Sequence, residues 1–391
     1  MNILSIPYIT GGLSHFIPFF VLHQKYIKNI FNVRNHFLVN EGIHNFLKIY
    51  KISCVPLNYT FAEIRFSDEE IAETNKYVLE SEKKAFDMVN PSIIIEDFSF
   101  LTPLIAEKNN IPRISIQRTG VFRSIDKLSR NLNHIHSLQK GEFIRKSDYI
   151  LRETQTSVFN DCDTFFLNDY LNSKAKIIPG IATIERLPDN VENRESYFYS
   201  GPLLIMDKPS QNLLESLCPF LSLNNQKPIV FVTTGTVDRT PIENFIEFFI
   251  KRNYAVITTC DCMINEVYKQ EVFYSKFLPL NYICSISSLV VHHCGSGMYH
   301  YPIMHGVPTL TIGTQCYDRE DIALRLQELG VSGHIPHPED NSNYWRIFIE
   351  FVEKFENNKL VNFKSIEKLK SEIEQTMSGF KMEKVIEYAL S

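Results

Sequence analysis

Val290-Val291-His292-His293-Cys294-Gly295-Ser296-Gly297-Met298-Tyr299-His300-Tyr301-Pro302-Ile303-Met304-His305-Gly306-Val307-Pro308 is the stretch on which the reading of this chain turns. The apolar run from Ser288 to Val291 has the character of a buried strand, and it delivers two histidines onto a turn of small residues, Cys294 to Gly297. A helix-length segment follows and is closed by Gly306-Val307-Pro308. Strand, tight turn and helix start, in that order, predict an anion site. Small residues let the backbone approach a diphosphate, and first-turn N–H groups meet it with the positive end of the helix dipole. No Lys-Ser/Thr follows the second glycine, so this is no P-loop, and the G-x-G-x-x-G spacing of a dinucleotide fingerprint is absent. The side chain beside the turn is a histidine, His293, and not a lysine.

Working outward, the 391 residues exceed one ordinary core and predict two domains. An apolar share of 44% with 22% charged residues is globular rather than disordered. A formal charge of -5 gives no reason to expect a nucleic-acid partner. The eight cysteines have no zinc or redox spacing and predict reduced thiols in a cytoplasmic protein. No apolar run reaches the ~18 residues of a membrane span. Met1 to Tyr8 reads as a first strand, with no charged region before it that would mark a signal peptide.

Short apolar runs alternate with longer amphipathic ones, which predicts α/β architecture with parallel sheets. Candidate strands are Ile3–Pro7, Ser92–Glu96 and Arg113–Gln117 in the first half, then Ile229–Thr233, Ala255–Thr259, Leu289–His293 and Thr309–Ile312. A loop-like patch from Ser200 to Ser210 separates the halves. The expected domains are 1–205 and 206–375, both Rossmann-like, with a central crevice at the carboxyl ends of the strands. A last helix, 376–391, carries one apolar stripe (Met382, Val385, Ile386, Ala389, Leu390).

The quoted residues resemble the donor signature of the inverting GT-B glycosyltransferases. The resemblance is closest to glycosyltransferase family 1, the bacterial natural-product glycosyltransferases and the UDP-glycosyltransferases. That signature, H-x-G-x-G-(T/S) followed by G-V-P and an acid, is met by His293, Gly295, Gly297, Gly306, Val307, Pro308 and Asp318. The resemblance covers both halves: Tyr199 to Leu203 is similar to the interdomain G-P-L, and Val232 to Thr236 to the first strand and turn of the second domain. It implies the GT-B fold, with the last helix packing back on the first domain. It also implies that His293 and the backbone of Gly295, Ser296, Gly297 and Met298 bind a donor diphosphate, with Gly235 and Thr236 beside it. Met298 departs from the usual Thr or Ser, which leaves only its N–H to serve.

The N-terminal stretch Ile9 to Pro18 is similar to the family's G-H-x-x-P, with His15 three residues before Pro18 and Ser14 replacing a glycine. By resemblance His15 is the general base. An alcohol is a poor nucleophile at neutral pH, and a histidine with a pKa near ~6.5 can hold its proton transiently. Such catalysis contributes roughly 10²–10⁴ in rate. Without the second motif, His15 would read as a packed residue capping a helix start. Asp97 ends the apolar run Ile93-Ile94-Ile95, in a segment that resembles the family's P-D-x-V-x-x-D … I-P, and there the aspartate orients the base. Asp97 is also placed to cap the next helix, and the two roles are compatible.

In the family, the segment after G-V-P binds sugar hydroxyls through an acid and an amide. Here Asp318 matches the acid, Arg319 replaces the glutamine and Ile322 the asparagine, so the sugar itself is not legible. Arg319 would suit a carboxylate or phosphate on donor or acceptor, or pair with Glu320 or Asp321. Leu280 and Tyr282 follow Pro279 in a segment similar to the family's nucleobase loop, where an aromatic is more often core. The histidines form no metal-binding spacing, in keeping with the family's general metal independence, and no cofactor is expected beyond the nucleotide-sugar co-substrate. A cationic surplus between Arg113 and Arg152 suits an anionic acceptor or a peripheral membrane contact, or is a solvated face.

The expected function is an inverting glycosyltransferase, moving a sugar from a UDP- or dTDP-sugar to a hydroxyl of a small or medium-sized acceptor. Two alternatives stay open. One is a lipid-acceptor enzyme of the murein and glycolipid type, and the other a catalytically silent auxiliary with the same fold.

Overall fold

The computed structural model describes residues 1–7, 13–57, 68–97, 102–119, 136–139, 142–145, 173–187, 191, 193–206, 208–234, 242–261, 265–314 and 317–391. The chain forms two compact units. One comprises Met1–Ala182, Arg186–Leu203 and Ser378–Ser391, and the other Thr183–Glu185 and Leu204–Met377.

The first unit is built on β1 (Asn2–Ile6), β2 (Arg34–Asn40), β3 (Cys54–Leu57), β4 (Ile93–Glu96) and β5 (Arg113–Ile116). A hairpin, β6 (His136–Gln139) with β7 (Glu142–Arg145), stands apart, and β8 (Ala175–Ile178) and β9 (Tyr197–Tyr199) complete the sheet. The order is β3-β2-β1-β4-β5-β8-β9, with every pair parallel. Ile93, Ile94 and Ile95 are wholly buried because a parallel sheet is covered on both faces, which favours continuous apolar runs. Around it lie α1 (Leu13–Leu22), α2 (Glu41–Ile49), α3 (Asp68–Val89) and α4 (Thr102–Lys108). The sheet is wider than the three strands predicted for this half. Strand β3 contains Pro56, and β2 opens on Arg-Asn-His, so neither reads as an apolar run.

The second unit carries β10 (Ile229–Thr233), β11 (Ala255–Thr258), β12 (Val272–Tyr274), β13 (Leu289–His292), β14 (Thr309–Ile312) and β15 (Ser332–Ile335). Their order is β12-β11-β10-β13-β14-β15, again wholly parallel. Its helices are α5 (Gln211–Leu223), α6 (Glu243–Lys251), α7 (Leu280–Ile286), α8 (His300–His305), α9 (Tyr317–Glu328), α10 (Tyr344–Glu356) and α11 (Phe363–Gly379). One face of the sheet is closed by an aromatic cluster in which Phe245, Phe249 and Phe348 are buried and Trp345 packs on their edge.

The last helix, α12 (Met382–Leu390), lies with the first unit against β5 and β8. Met382, Val385, Ile386 and Ala389 form its buried stripe, with Tyr388 edge-on to Phe198 at 5.6 Å. Leu390, expected in that stripe, is exposed at the helix end. Among the described residues no helix is long and apolar enough to cross a membrane.

Candidate active site

In each sheet the chain reverses its direction of winding once. In the first it proceeds from β1 outward to β2 and β3, then returns to the other side of β1 with β4. In the second it proceeds from β10 to β11 and β12, then returns with β13. At such a switch point the loops from the two neighbouring strands part, leaving a crevice at the carboxyl ends. His15 and Asp97 lie at the first of these places and His293 with Gly295 to Met298 at the second, whereas Arg319 follows β14 and Leu280 and Tyr282 lie on α7.

His15 is the third residue of α1, the helix that follows β1, and Asp97 directly follows β4, the neighbour of β1 in register Ile6↔Glu96. The amide of Asp97 donates to the carbonyl of Ile6 at 3.3 Å, which extends the strand pairing to that residue. Nδ1 of His15 lies 2.7 Å from Oδ2 of Asp97. A carboxylate only accepts, so Nδ1 carries the hydrogen and Nε2 is the nitrogen able to take up a proton. The Gly11-Gly12 turn before α1 lies outside the described residues.

Arg118, two residues beyond β5, completes the group. Its Nη1 donates to Oδ1 of Asp97 at 2.8 Å and its Nη2 to Oδ2 at 3.1 Å. Asp97 is wholly buried, and burial alone would push its carboxyl pKa up. The charges of Arg118 and then His15, with their hydrogen bonds, outweigh that and hold it down at about 2. Sequence analysis counted Arg118 only within the cationic stretch 113–152. Most of that stretch lies outside the described residues, and Arg113 forms a buried ion pair with Glu96 at 3.0 Å.

In the second unit β13 ends at His292, whose Nδ1 accepts the amide of Cys294 at 2.9 Å. This closes a tight turn in which Cys294 takes the left-handed conformation, φ 51°. Burial, then the neighbouring His293, lowers the pKa of His292 to about 3, so it serves as a neutral acceptor. His293 follows and is buried. Among the described residues, none accepts the N–H of Gly295, Ser296 or Gly297. A Cβ added to Gly295 or Gly297 would meet no atom within 4 Å, so protein packing does not demand glycine at either position.

Two features differ from expectation. The segment after the turn is no full helix: residues 296–299 form a turn, and α8 holds only six residues from His300. The amide of Met298 donates to the carbonyl of Gly295 at 2.8 Å, so it is engaged within the turn. Pro302 confines the helix start, and Gly306 (φ +70°) ends it with the paired bonds Gly306 N–H to Ile303 and Val307 N–H to Pro302. Any helix-dipole contribution at Gly295 is correspondingly small. The side chain of Met298 belongs to a buried cluster with Phe231, Tyr301 and Val307, where the resembled family has a hydroxyl.

Tyr299, unremarked in the sequence, is buried and donates its hydroxyl to Glu185. Glu185 belongs to Thr183–Glu185, a short segment of the second unit also held by Glu372 and Arg325. The loop after β14 is secured by Glu320, whose carboxylate accepts the amide of Thr314 at 2.7 Å and meets Nε2 of His334 at 3.0 Å. Asp318 and Arg319 lie in the first turn of α9, and Arg319 is half-buried. The side chain of Asp318, like Gly235 and Thr236, lies outside the described residues. Ile322 is buried, so the position that is asparagine in the resembled family belongs to the interior here. Leu280 and Tyr282 begin α7 and pack, half-buried, against the core. Asn281 between them reaches Nε2 of His305 at 2.8 Å.

No family model matches the chain. An aclacinomycin-T 2-deoxy-L-fucose transferase of Streptomyces galilaeus is 28% identical over 106 residues, which is 27% of this chain and 24% of that enzyme. The spinosyn forosaminyltransferase structure superposes with a TM-score of 0.70 at 15% identity, covering 100% of this chain and 99% of the other. A UDP-glucose:anthocyanidin 3-O-glucosyltransferase in complex with UDP gives 0.67 at 14%, covering 99% and 98%. These likenesses show the fold: two parallel-sheet α/β units of the GT-B type.

Proposed function

We propose that the chain is an inverting, nucleotide-sugar-dependent glycosyltransferase that acts on a hydroxyl of a small or medium-sized, natural-product-like acceptor. The observation that carries the proposal is the His15–Asp97 pair at 2.7 Å, in which Nδ1 meets a buried carboxylate, and Nε2 is the proposed base. In the reaction, Nε2 takes the hydroxyl proton as the acceptor oxygen forms its bond to the anomeric carbon. The bond from that carbon to the diphosphate oxygen breaks on the opposite face, and the diphosphate leaves with the electron pair. The second unit supplies what the leaving group needs: the N–H groups of Gly295, Ser296 and Gly297, with His293 beside them. Donors aimed at developing charge are worth a few kcal/mol each in catalysis.

Several observations support this reading. The two glycines of the turn are required by no protein neighbour, as expected where a ligand approaches the backbone. The fold is shared with a spinosyn forosaminyltransferase and with an anthocyanidin glucosyltransferase whose structure holds UDP, and 27% of the chain is similar in sequence to an aclacinomycin sugar transferase. UDP or dTDP is the proposed donor nucleotide, with Asp318 and Arg319 at the sugar. Because the protein itself meets the diphosphate charge, the reaction is proposed to need no metal, and EDTA should leave the rate unchanged. The cytoplasm is the proposed compartment, where the free thiols Cys54, Cys218, Cys260, Cys284 and Cys294 would stay reduced.

Calorimetric titration with UDP, dTDP and GDP tests the donor half. The expected result is selective binding of UDP or dTDP, weakened at least ten-fold by His293→Ala. Binding of none of the three would overturn the proposal and leave a silent auxiliary as the better reading.

A further inference from the structure

The amino-terminal edge of the first sheet carries a surface that the proposed chemistry does not use. Strands β3, β2, β1 and β4 are neighbours and parallel, so the segments that enter them lie at one end of the sheet. Backbone bonds tie these segments together: the amide of Arg34 donates to the carbonyl of Met1 at 2.9 Å, and that of Ser92 to Asn2 at 2.8 Å. Met1 precedes β1, Phe31 precedes β2, Ile49 and Tyr50 join α2 to β3, and Met88 lies in the last turn of α3 before β4. Phe31 is 87% exposed, Ile49 76% and Met88 65%, with Tyr50 and Met1 exposed to a lesser degree. Among the described residues of this unit, Leu390 is the one other large apolar side chain so exposed. Scattered apolar residues on a surface are ordinary, whereas their gathering at one edge marks an interaction face. The tip of α2 is presented on a packed base, because the ring of Tyr50 rests on Phe20 at 4.8 Å and Phe46 at 5.2 Å.

Cations are interleaved with these side chains. Lys28 and Arg34 flank Phe31, Lys48 and Lys51 flank Ile49 and Tyr50, and all four are exposed. Lys28 and Lys48 bond the neutral amides of Gln24 and Asn45. From Met1 to Ala62 the chain has five lysines and arginines and one acid, Glu41, which opens α2 at the end remote from Ile49. On α3, Asp87 is matched by Lys84 one turn before it. A second copy of the chain fits this edge poorly, since a twofold contact would set the cations against their own copies. The headgroup layer of an anionic bilayer fits it well. Short apolar tips enter the acyl boundary, and long cationic side chains lay their stems along it and meet phosphate.

We propose that this edge, distinct from the cationic stretch 113–152, docks the protein on an anionic lipid surface. Phe31, Ile49 and Tyr50 are the inserted side chains, and Lys28, Arg34, Lys48 and Lys51 the headgroup contacts. Strand β1 has five residues, so at about 3.3 Å per residue His15 and Asp97, beyond its far end, stand about 17 Å from the docked edge. The docking does not depend on the transferase reading.

The test is co-sedimentation of the full chain with phosphatidylcholine vesicles, with and without phosphatidylglycerol. Two double variants accompany it, Phe31→Ser with Ile49→Ser and Lys28→Gln with Lys48→Gln. Circular dichroism checks that each is folded, and should one pair fail to fold the other carries the test. Wild type should bind only the vesicles that contain phosphatidylglycerol, and more weakly as salt rises. Each double variant should bind them roughly ten-fold or more weakly. No binding by wild type, equal binding to both vesicle types, or undiminished binding by a folded variant would overturn the proposal. So would a wild-type dimer that Phe31→Ser with Ile49→Ser dissolves, which makes the occupant a second copy. Capture of soluble polyglutamate in place of vesicles would likewise overturn it, in favour of an acidic protein.

Discussion

His292 and His300 show how much a buried residue's protonation matters to this fold. Both are wholly buried, and burial lowers their pKa to about 3, with His293 adding to the effect at His292. His300 stacks on Tyr299 with ring centroids 4.0 Å apart, and no described group bonds either of its nitrogens. In the unfolded chain both would bind a proton below ~6.5. As pH falls from 6.5 towards 3 the unfolded state therefore gains protons that the folded state refuses, and stability declines by about 2 kcal/mol per histidine by pH 5. Asp97 acts later and for the opposite reason. Its folded pKa of about 2 lies below the unfolded value of 3.8, so its contribution holds above 3.8 and is lost on descending to 2. Thermal melts of His300→Phe between pH 6.5 and 5 should show roughly half the decline in Tm attributable to the two histidines, and a slope equal to wild type would contradict this account. Of these residues, His15 and Asp97 were legible because each belongs to a local motif. Arg118 was not, since nothing near it in the chain links it to residue 97; parallel pairing of β4 and β5 makes that connection.

At the scale of the element, the strands that could be read were short runs rich in β-branched and apolar residues, such as Ile229–Thr233 and Thr309–Ile312, whose predicted bounds coincide with the observed ones. Strand β15 escaped because it contains Gly333 and His334. The glycine is there because a Cβ would lie 2.9 Å from Leu310 and Phe351, and the histidine is buried because Thr311 and Glu320 satisfy its ring. Composition alone does not reveal such tertiary reasons. The neighbouring Gly313 is more constrained: a Cβ there would stand 2.4 Å from the backbone nitrogen of His337 and 3.0 Å from the carbonyl carbon of Pro336. Backbone atoms cannot rotate away, so Gly313→Ala must part the loops after β14 and β15. Overpacking of this kind costs roughly 1–3 kcal/mol. Urea unfolding of Gly313→Ala should give a lower midpoint with the same slope, while an unaltered midpoint would mean that the loops yield freely.

For the whole molecule, the two-unit α/β architecture was legible because alternating strands and amphipathic helices leave few alternatives once the strands read as parallel. Each unit carries candidate residues at the winding reversal of its own sheet: His15 and Asp97 on one, with Arg118 reaching Asp97 from the next strand, and His293 with the small-residue turn on the other. This division of labour makes the roles separable by mutation. The most direct measurement compares wild type with His15→Ala for sugar transfer and, on the same preparations, for UDP affinity. Loss of a positioned base predicts a fall in transfer of roughly 10²–10⁴-fold with nucleotide binding unchanged. Equal transfer rates in the two proteins would contradict the assignment of His15 as the base and with it the proposed mechanism.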